Sequence, residues 1–408
     1  MEPPNWLFVV TERNFMMKIA YFSNQFSSRQ GHGVARYAHE LYEAVEALDG
    51  DTEITPVAAW SDRDDEDLGK LQRRTGLQIL PWGRKLTPLF WNYLGFPRIE
   101  SWLDKPADIV HAVSLGYPVA TKKPYVVTVH DIGPLTHPEY FSEAPPWIME
   151  RSLKQAVKQA AALVCVSQAT ADEVKDYVRK HYSVDIGSRV HVVLEGVGEE
   201  FFQQPDMTCL DSLENLPGAD VPFILSAGKI SPRKNFQGVI EALGKIKDCV
   251  PHHLVAVGGD GWDFAQVKDR VREYGIQDRV HFVGYVSDEQ LRALYRRASV
   301  YVHASLFEGF GLTVLEAMAS GCPVVTSNCS SLPEVAGDAA LLVDPHNSDE
   351  IAAALVSVCG DFKLADLLKS KGISRAQTFS WKKCAVGVQA LYESVLADST
   401  LKRSRGLG

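Results

Sequence analysis

FEGFGLTVLEAMASG, from Phe307 to Gly321, is the stretch that decides how this chain is read. It sets two carboxylates, Glu308 and Glu316, around a glycine-containing turn, Gly309-Phe310-Gly311. An apolar, strand-like run, Val300-Tyr-Val-His-Ala-Ser, precedes the turn, and a helix-like run follows it. The start of a helix carries unpaired N–H groups and a partial positive charge, so it suits a phosphate. A carboxylate on each side of that phosphate can accept hydrogen bonds from sugar hydroxyls. A phosphate flanked by two sets of hydroxyls describes a sugar nucleotide.

Outward from this block, short β-branched runs alternate with longer helical patterns. That alternation predicts parallel sheets with helices on both faces. The first series has strand candidates at Lys18-Ile-Ala-Tyr-Phe-Ser, Ile109-Val-His-Ala-Val, Tyr125-Val-Val-Thr-Val-His, Leu163-Val-Cys-Val-Ser and Val190-His-Val-Val-Leu. After the first of these, Val34, Tyr37, Ala38, Leu41, Val45 and Leu48 recur at helical spacing. The second series has Phe223-Ile-Leu-Ser-Ala, Leu254-Val-Ala-Val-Gly, Val280-His-Phe-Val-Gly, Val300-Tyr-Val-His, Pro323-Val-Val-Thr and Leu341-Leu-Val-Asp. Between them, Pro205, Pro217 and Gly218 punctuate a linker-like stretch. The expected organisation is an extension over 1–16, a first domain over 17–205, a linker over 206–220 and a second domain over 221–384. A last helix, about 385–400, packs back on the first domain. The fold class is α/β, with two tandem doubly wound, Rossmann-like sheets facing a cleft, and ligands in such sheets sit beyond the carboxyl ends of the strands.

Composition narrows the function. With 408 residues the chain exceeds one ordinary core. A net charge of −9 argues against nucleic acid as the main partner. The seven cysteines are scattered, without a Cys-x-x-Cys pair, and read as buried thiols of a reducing cytosol. No apolar run reaches the length of about 20 residues that a bilayer requires. The patch Trp6-Leu-Phe-Val-Val lacks the basic start and cleavage site of a signal peptide. The expected location is therefore cytoplasmic, with peripheral contact at the inner membrane face left open. That option comes from Lys70 to Phe96, where Arg73, Arg74, Arg84 and Lys85 mix with Trp82, Phe90, Trp91 and Tyr93. A wall of an acceptor site explains the same mixture.

Three further features fall at strand ends. Ser27-Ser-Arg-Gln-Gly-His-Gly33 follows the first strand, and Gly31 and Gly33 let backbone approach a ligand, although a plain strand-to-helix turn reads the same. Lys229-Ile-Ser-Pro-Arg-Lys-Asn235 ends the first strand of the second domain. There Arg233 and Lys234 can neutralise charge on a departing diphosphate, or form a solvated loop. Val129-His130-Asp131-Ile132 ends a first-domain strand, and His130 can touch a substrate hydroxyl or be merely structural. His111 ends a similar strand. The acidic run Asp62 to Asp67 has no apolar strand leading into it and reads as a solvated loop. Cysteine and histidine spacings suggest no zinc site, and Gly258-Gly-Asp-Gly lacks a P-loop lysine.

Together these residues resemble a known family. Phe307-Glu-Gly-Phe-Gly-Leu, Glu316-Ala-Met-Ala-Ser-Gly and the Glu308-x7-Glu316 spacing are similar to the retaining nucleotide-sugar glycosyltransferases of family 4, group 1, which have the GT-B fold. The resemblance is densest over Phe223 to Pro345. It implies that Glu308 holds hydroxyls of the donor sugar and Glu316 those of the ribose. Backbone from Gly309 through Phe310 and Gly311 to Leu312 contacts sugar and diphosphate, and Lys234 with Arg233 binds the diphosphate. Gly33 approaches the phosphate or acceptor, His130 the sugar near the reacting carbon, and backbone at Tyr285 and Val286 the base. Lys229 stands where many relatives have arginine, which keeps the charge without the bidentate geometry. Glu195-Gly-Val-Gly replaces a commoner Asn-Gly-Val-Asp. The version Ser-Pro-Arg-Lys-Asn is similar to that of bacterial mannosyltransferases and makes GDP-mannose the first donor expectation.

The implied reaction is transfer of a hexose from a nucleotide sugar to a hydroxyl of a glycan, a lipid-linked or a small-molecule acceptor, with no cofactor and no metal. Two alternatives remain: a GT-B-like sugar-nucleotide epimerase or hydrolase, and a non-catalytic sugar-nucleotide binder.

Overall fold

A computed structural model describes residues 16–28, 33–48, 50, 52–116, 118–141 and 146–404. Gly31, most of the 1–16 extension and the side chains of Arg84 and Lys85 lie outside the described residues.

Thirteen strands form two sheets among the described residues. The first contains β1 (Met17–Phe22), β2 (Thr52–Ala58), β3 (Gln78–Ile79), β4 (Ile109–Ala112), β5 (Tyr125–Val129), β6 (Ala162–Cys165) and β7 (Val190–Val192), in the order β3-β2-β1-β4-β5-β6-β7. The second contains β8 (Phe223–Ala227), β9 (His253–Val257), β10 (Val280–Gly284), β11 (Val300–His303), β12 (Val324–Ser327) and β13 (Leu341–Val343), in the order β10-β9-β8-β11-β12-β13. All pairings within them are parallel. The central strands β4, β5, β6, β8, β11 and β12 are buried along their whole length. Helices cover both faces, so these strands read as continuous apolar runs. The chain order reverses between β1 and β4 in one sheet and between β8 and β11 in the other. Those reversals are the switch points at which doubly wound sheets hold ligands.

β2 and β3 were not among the sequence expectations. β2 carries Pro56 and alternates half-buried with buried residues, and β3 has only two residues, which hides both from a search for apolar runs. β2 also corrects the reading of the acidic run. Asp62 to Asp67 is not a free loop, because Asp64 caps the helix Asp65–Thr75 by accepting from the Asp67 N–H, and Asp65, Glu66 and Asp67 fill its first turn. Carboxylates are favoured there by the helix dipole. The cysteines divide as well: Cys165, Cys322 and Cys384 are buried, but Cys249 is exposed.

Between the sheets, Arg296 and Arg297 of the helix Asp288–Arg297 donate to the carbonyls of Phe202 and Pro217, at 2.8 and 3.0 Å. The last helix, Trp381–Ser404, returns to the first domain and packs along the helix Gly33–Glu46. It buries Ala385, Val388 and Tyr392. The Tyr392 hydroxyl lies 2.6 Å from His111 Nδ1, and His111 Nε2 lies 2.8 Å from Thr128 Oγ1, so His111 is a buried structural residue.

Candidate active site

The switch point of the second sheet collects the cations and one acid. The loop after β8 carries Arg233 and Lys234, and the loop after β11 carries Glu308. Lys234 Nζ donates to Glu308 Oε1 at 2.6 Å, and Arg233 Nη1 donates to Glu308 Oε2 at 2.5 Å and to the Phe307 carbonyl at 3.0 Å. His303 Nε2 lies 3.0 Å from the same Oε1, and Ser305 Oγ donates to it at 2.8 Å. Ser330 Oγ accepts from the Glu308 N–H at 3.0 Å, while Ser331 Oγ lies 2.9 and 2.7 Å from the carbonyls of Glu308 and Phe310. Glu308 is only 8 % exposed. Burial alone would raise its carboxyl, but the charges of Arg233 and Lys234 and the His303 bond outweigh it and hold the group well below the carboxylate range. Burial and the neighbouring Arg233 push the Lys234 ammonium down, against the pull of Glu308.

The turn between the acids is built from backbone. Gly311 has φ of 118°, a conformation that glycine adopts without strain. It precedes the helix Leu312–Ala319 and has no side chain to cap the first N–H groups. A Cβ on Gly309 would lie 1.8 Å from the His130 carbonyl oxygen, so only glycine allows the two domains to touch here. Ser167 Oγ and Thr170 Oγ1, at the start of a first-domain helix, reach the Gly309 carbonyl at 2.7 and 3.0 Å. The Phe310 ring turns away into the core, edge-on to Phe379 at 6.0 Å.

Glu316 sits in a different environment. Its carboxylate pairs with Arg36 of the opposite domain, and the second Arg36 nitrogen pairs with Asp288. Glu316 is 3 % exposed. Burial pushes its carboxyl up to about 7; Arg36 opposes the rise, and Asp288 and Glu200 add to it. Gly33 opens the Arg36 helix, and a Cβ there would meet Leu312 at 3.8 Å, which places the two helix starts face to face. Tyr285 follows β10 and is 69 % exposed, whereas Val286 is buried. Lys229 follows β8 beside Gly261, where a Cβ would lie 3.4 Å from its side chain.

His130 follows β5 with both ring nitrogens engaged, Nε2 at 2.9 Å from the Val113 carbonyl and Nδ1 at 3.3 Å from Glu195 Oε1. Burial raises the carboxyl of its neighbour Asp131, and the charge of Arg233 opposes the rise. A cavity of about 570 Å³ lies to one side, beside β9 and β10, lined by Gly258, Asp260, Phe264, Lys268, His281 and Gly284. Among the described residues no cluster of histidine, cysteine and carboxylate side chains could hold a metal ion, and no helix is long and apolar enough to cross a membrane.

The structure thus brings Arg233, Lys234 and Glu308 into one ion-pair cluster and sets Glu316, Gly33 and Leu312 at the far end of the turn. His303, Ser305, Ser330, Ser331, Ser167, Arg36 and Glu195 were not assigned from sequence. His303 and Ser305 lay inside the strand run quoted for the fold. Arg36 gave no local signal, because its partners belong to the other domain.

Comparison with known proteins gives a consistent picture. The family described as Glycosyltransferase Family 4 matches residues 31–201, and that described as Glycosyl transferases group 1 matches residues 211–375. The O-antigen chain mannosyltransferase B of Escherichia coli is 32 % identical over 292 residues, 71 % of this chain and 75 % of that protein. The serotype-specific mannosyltransferase WbdA of Escherichia coli is 30 % identical over 64 % of this chain and 32 % of its own length. Among solved structures, a sucrose-phosphate synthase from Thermosynechococcus elongatus superposes with a TM-score of 0.71 at 23 % identity, covering 94 % of this chain and 100 % of that one. Anabaena HepE, solved with UDP and glucose, gives 0.69 at 18 % identity over 93 % of this chain and 100 % of its own. At such identities the structural likeness speaks for the fold.

Proposed function

The chain belongs to the group 1 glycosyltransferases of family 4, with the GT-B architecture, and on that premise we propose that it transfers mannose from GDP-mannose to a hydroxyl of a glycan, lipid-linked or small-molecule acceptor, with retention of configuration and without a metal. The observation that carries the reading is the Arg233–Glu308–Lys234 cluster at the switch point, 2.5 and 2.6 Å across its ion pairs. The mannose assignment is supported by two Escherichia coli relatives that are mannosyltransferases, at 32 % and 30 % identity.

The chemistry follows from the charges. Breaking the sugar–phosphate bond leaves positive charge on the anomeric carbon and negative charge on the diphosphate. Two cations on one carboxylate leave a net positive charge, already fixed and desolvated, where that diphosphate would form. Fixed charge aimed at developing charge is usually the largest catalytic contribution. Glu308 would exchange part of its bonding for hydroxyls of the donor sugar, and Glu316 would receive the ribose hydroxyls once Arg36 moves aside. The uncapped start of Leu312–Ala319 faces the phosphates between them. With no free side-chain nucleophile assigned, the incoming hydroxyl attacks from the leaving-group side, and the diphosphate takes its proton.

Peripheral membrane contact is assigned to Leu86, Leu89 and Tyr93 of the helix Gly83–Tyr93, with Leu94 and Phe96 beyond it. All five are exposed. The first three share one helical face, and Arg98 adds nearby charge. Flotation with anionic vesicles tests this; equal flotation of wild type and Leu89→Glu would remove the assignment.

The donor is tested by thermal stabilisation with a panel of nucleotide sugars, since a ligand at 100 times its Kd adds about 2.7 kcal/mol. GDP-mannose should stabilise most, and EDTA should leave transfer unchanged. A larger response to a uridine donor would overturn the donor, and turnover of donor to an epimer without acceptor would overturn transfer.

A further inference from the structure

We propose that Glu195, reaching out of the crossover between the domains, is a positioning residue for His130 that sets which ring nitrogens carry protons and holds the ring against the sugar site. The inference deepens the transfer reaction proposed above and rests on it.

The argument starts from the two ring contacts. The Val113 carbonyl can only accept, so His130 Nε2, at 2.9 Å, carries a hydrogen. The remaining nitrogen, Nδ1, faces Glu195 Oε1 at 3.3 Å. An ionised Glu195 draws a second proton onto the ring, and a neutral Glu195 donates its own to Nδ1. In both cases one proton lies between the two groups, and neither nitrogen is available to a substrate. The ring therefore acts through its proton count and its place, both of which Glu195 controls. Glu195 is 4 % exposed, and a carboxyl so buried needs that partner. Burial raises it, against the His130 bond.

The surroundings fix the pair at both ends. Tyr37 of the Arg36 helix stands edge-on to the His130 ring at 4.7 Å. Burial lowers His111 of β4 and raises Asp131, and the His130 charge adds to the first shift and opposes the second. Burial raises Cys384 of the last helix, with Glu195 adding to the rise. On the crossover side, a Cβ on Gly196 would lie 2.2 Å from the Trp381 nitrogen, and Val197 bridges Ser380 in parallel. Glu195 is thus set where the chain passes between domains in both directions. On the cleft side, the His130 carbonyl packs on Gly309 and receives Thr170 Oγ1 at 3.3 Å.

Glu195→Gln keeps the shape but can offer Nδ1 only an amide N–H, which it cannot transfer, so the ring keeps its single proton on Nε2. Ring nitrogen-15 NMR at neutral pH should show His130 Nδ1 sharing a transferable proton in wild type and unprotonated, accepting from the amide, in the variant. With GDP-mannose as donor, kcat should fall about tenfold, the scale of one hydrogen bond to a charged group, while KM for the donor stays within about twofold. The pH profile of kcat should lose the limb contributed by the Glu195 carboxyl, which burial raises, and Glu195→Asp should restore part of it. Identical ring spectra in wild type and Glu195→Gln would overturn the pairing. A changed ring with unchanged kcat and pH profile would reduce Glu195 to packing. If Glu195→Gln fails to fold, Glu195→Asp and wild type carry the same comparison. Should wild type leave every nucleotide sugar untouched, the transfer reading fails, yet the spectra still decide whether Glu195 sets the proton on His130.

Discussion

Glu308 and Glu316 flank one turn, yet their surroundings make them opposites. Glu308 receives two cations, a histidine and a serine, all from its own domain. Its ionised form is therefore fixed however the two domains lie. Glu316 receives a single cation, from the other domain, and shares it with Asp288. Its carboxyl is pushed up to about 7. The same side chain is thus a permanent anchor at the Glu308 end of the turn and a conditional one at the Glu316 end, where the arrangement of the cleft decides its charge.

That contrast can be broken by substitution. Glu308→Ala leaves Arg233 and Lys234 buried and facing each other. Loss of one member of a buried ion pair costs about 3–5 kcal/mol, so the denaturant midpoint should fall sharply. A loss typical of surface pairs, below about 1 kcal/mol, would mean that the cluster is not the fixed anchor described. Lys234→Ala should lower kcat by about 10²–10³ through the leaving group; wild-type turnover would remove that role. Glu316→Ala should act mainly on binding, weakening the donor about tenfold by calorimetry with a smaller change in kcat. Unchanged donor affinity would contradict the ribose assignment.

The finest distinction concerns pH. Folding lowers the Glu308 carboxyl well below 4.5, so its contribution to stability is present above 4.5 and is lost in acid. Folding raises Glu316 from 4.5 to about 7, so its contribution is fullest below 4.5 and declines as pH climbs through that window. The stability difference between wild type and Glu308→Gln should therefore grow with pH up to about 4.5 and then level off, whereas that between wild type and Glu316→Gln should be level in acid and decline between pH 4.5 and 7. Parallel slopes would show that the two acids share one environment.

The same contrast explains what the sequence could reveal. Glu308, Arg233 and Lys234 come from neighbouring strand tips of one sheet, each announced by an apolar run and a turn, and strand alternation also exposed the doubly wound class. β2 and β3 escaped because one contains a proline with half-buried residues and the other is only two residues long. Arg36, Ser167 and Glu195 escaped for another reason. Their partners, Glu316, Gly309 and His130, lie 280, 142 and 65 residues away. No local pattern encodes a contact between residues so far apart in the chain, and the Arg36 and Ser167 contacts form only where the two domains meet. The substitution of Glu195 in an otherwise family-like turn was visible as a departure, but its partner was not.

A crystal structure with GDP-mannose bound is the most direct test of the proposal that the diphosphate sits between the two acids. The diphosphate should lie within hydrogen-bond reach of Lys234 Nζ and of the backbone N–H groups from Gly311 to Thr313, with ribose at Glu316 and Arg36 displaced. A nucleotide seated instead in the cavity between Gly258 and Gly284, with the Lys234–Glu308 and Arg36–Glu316 pairs intact, would contradict it.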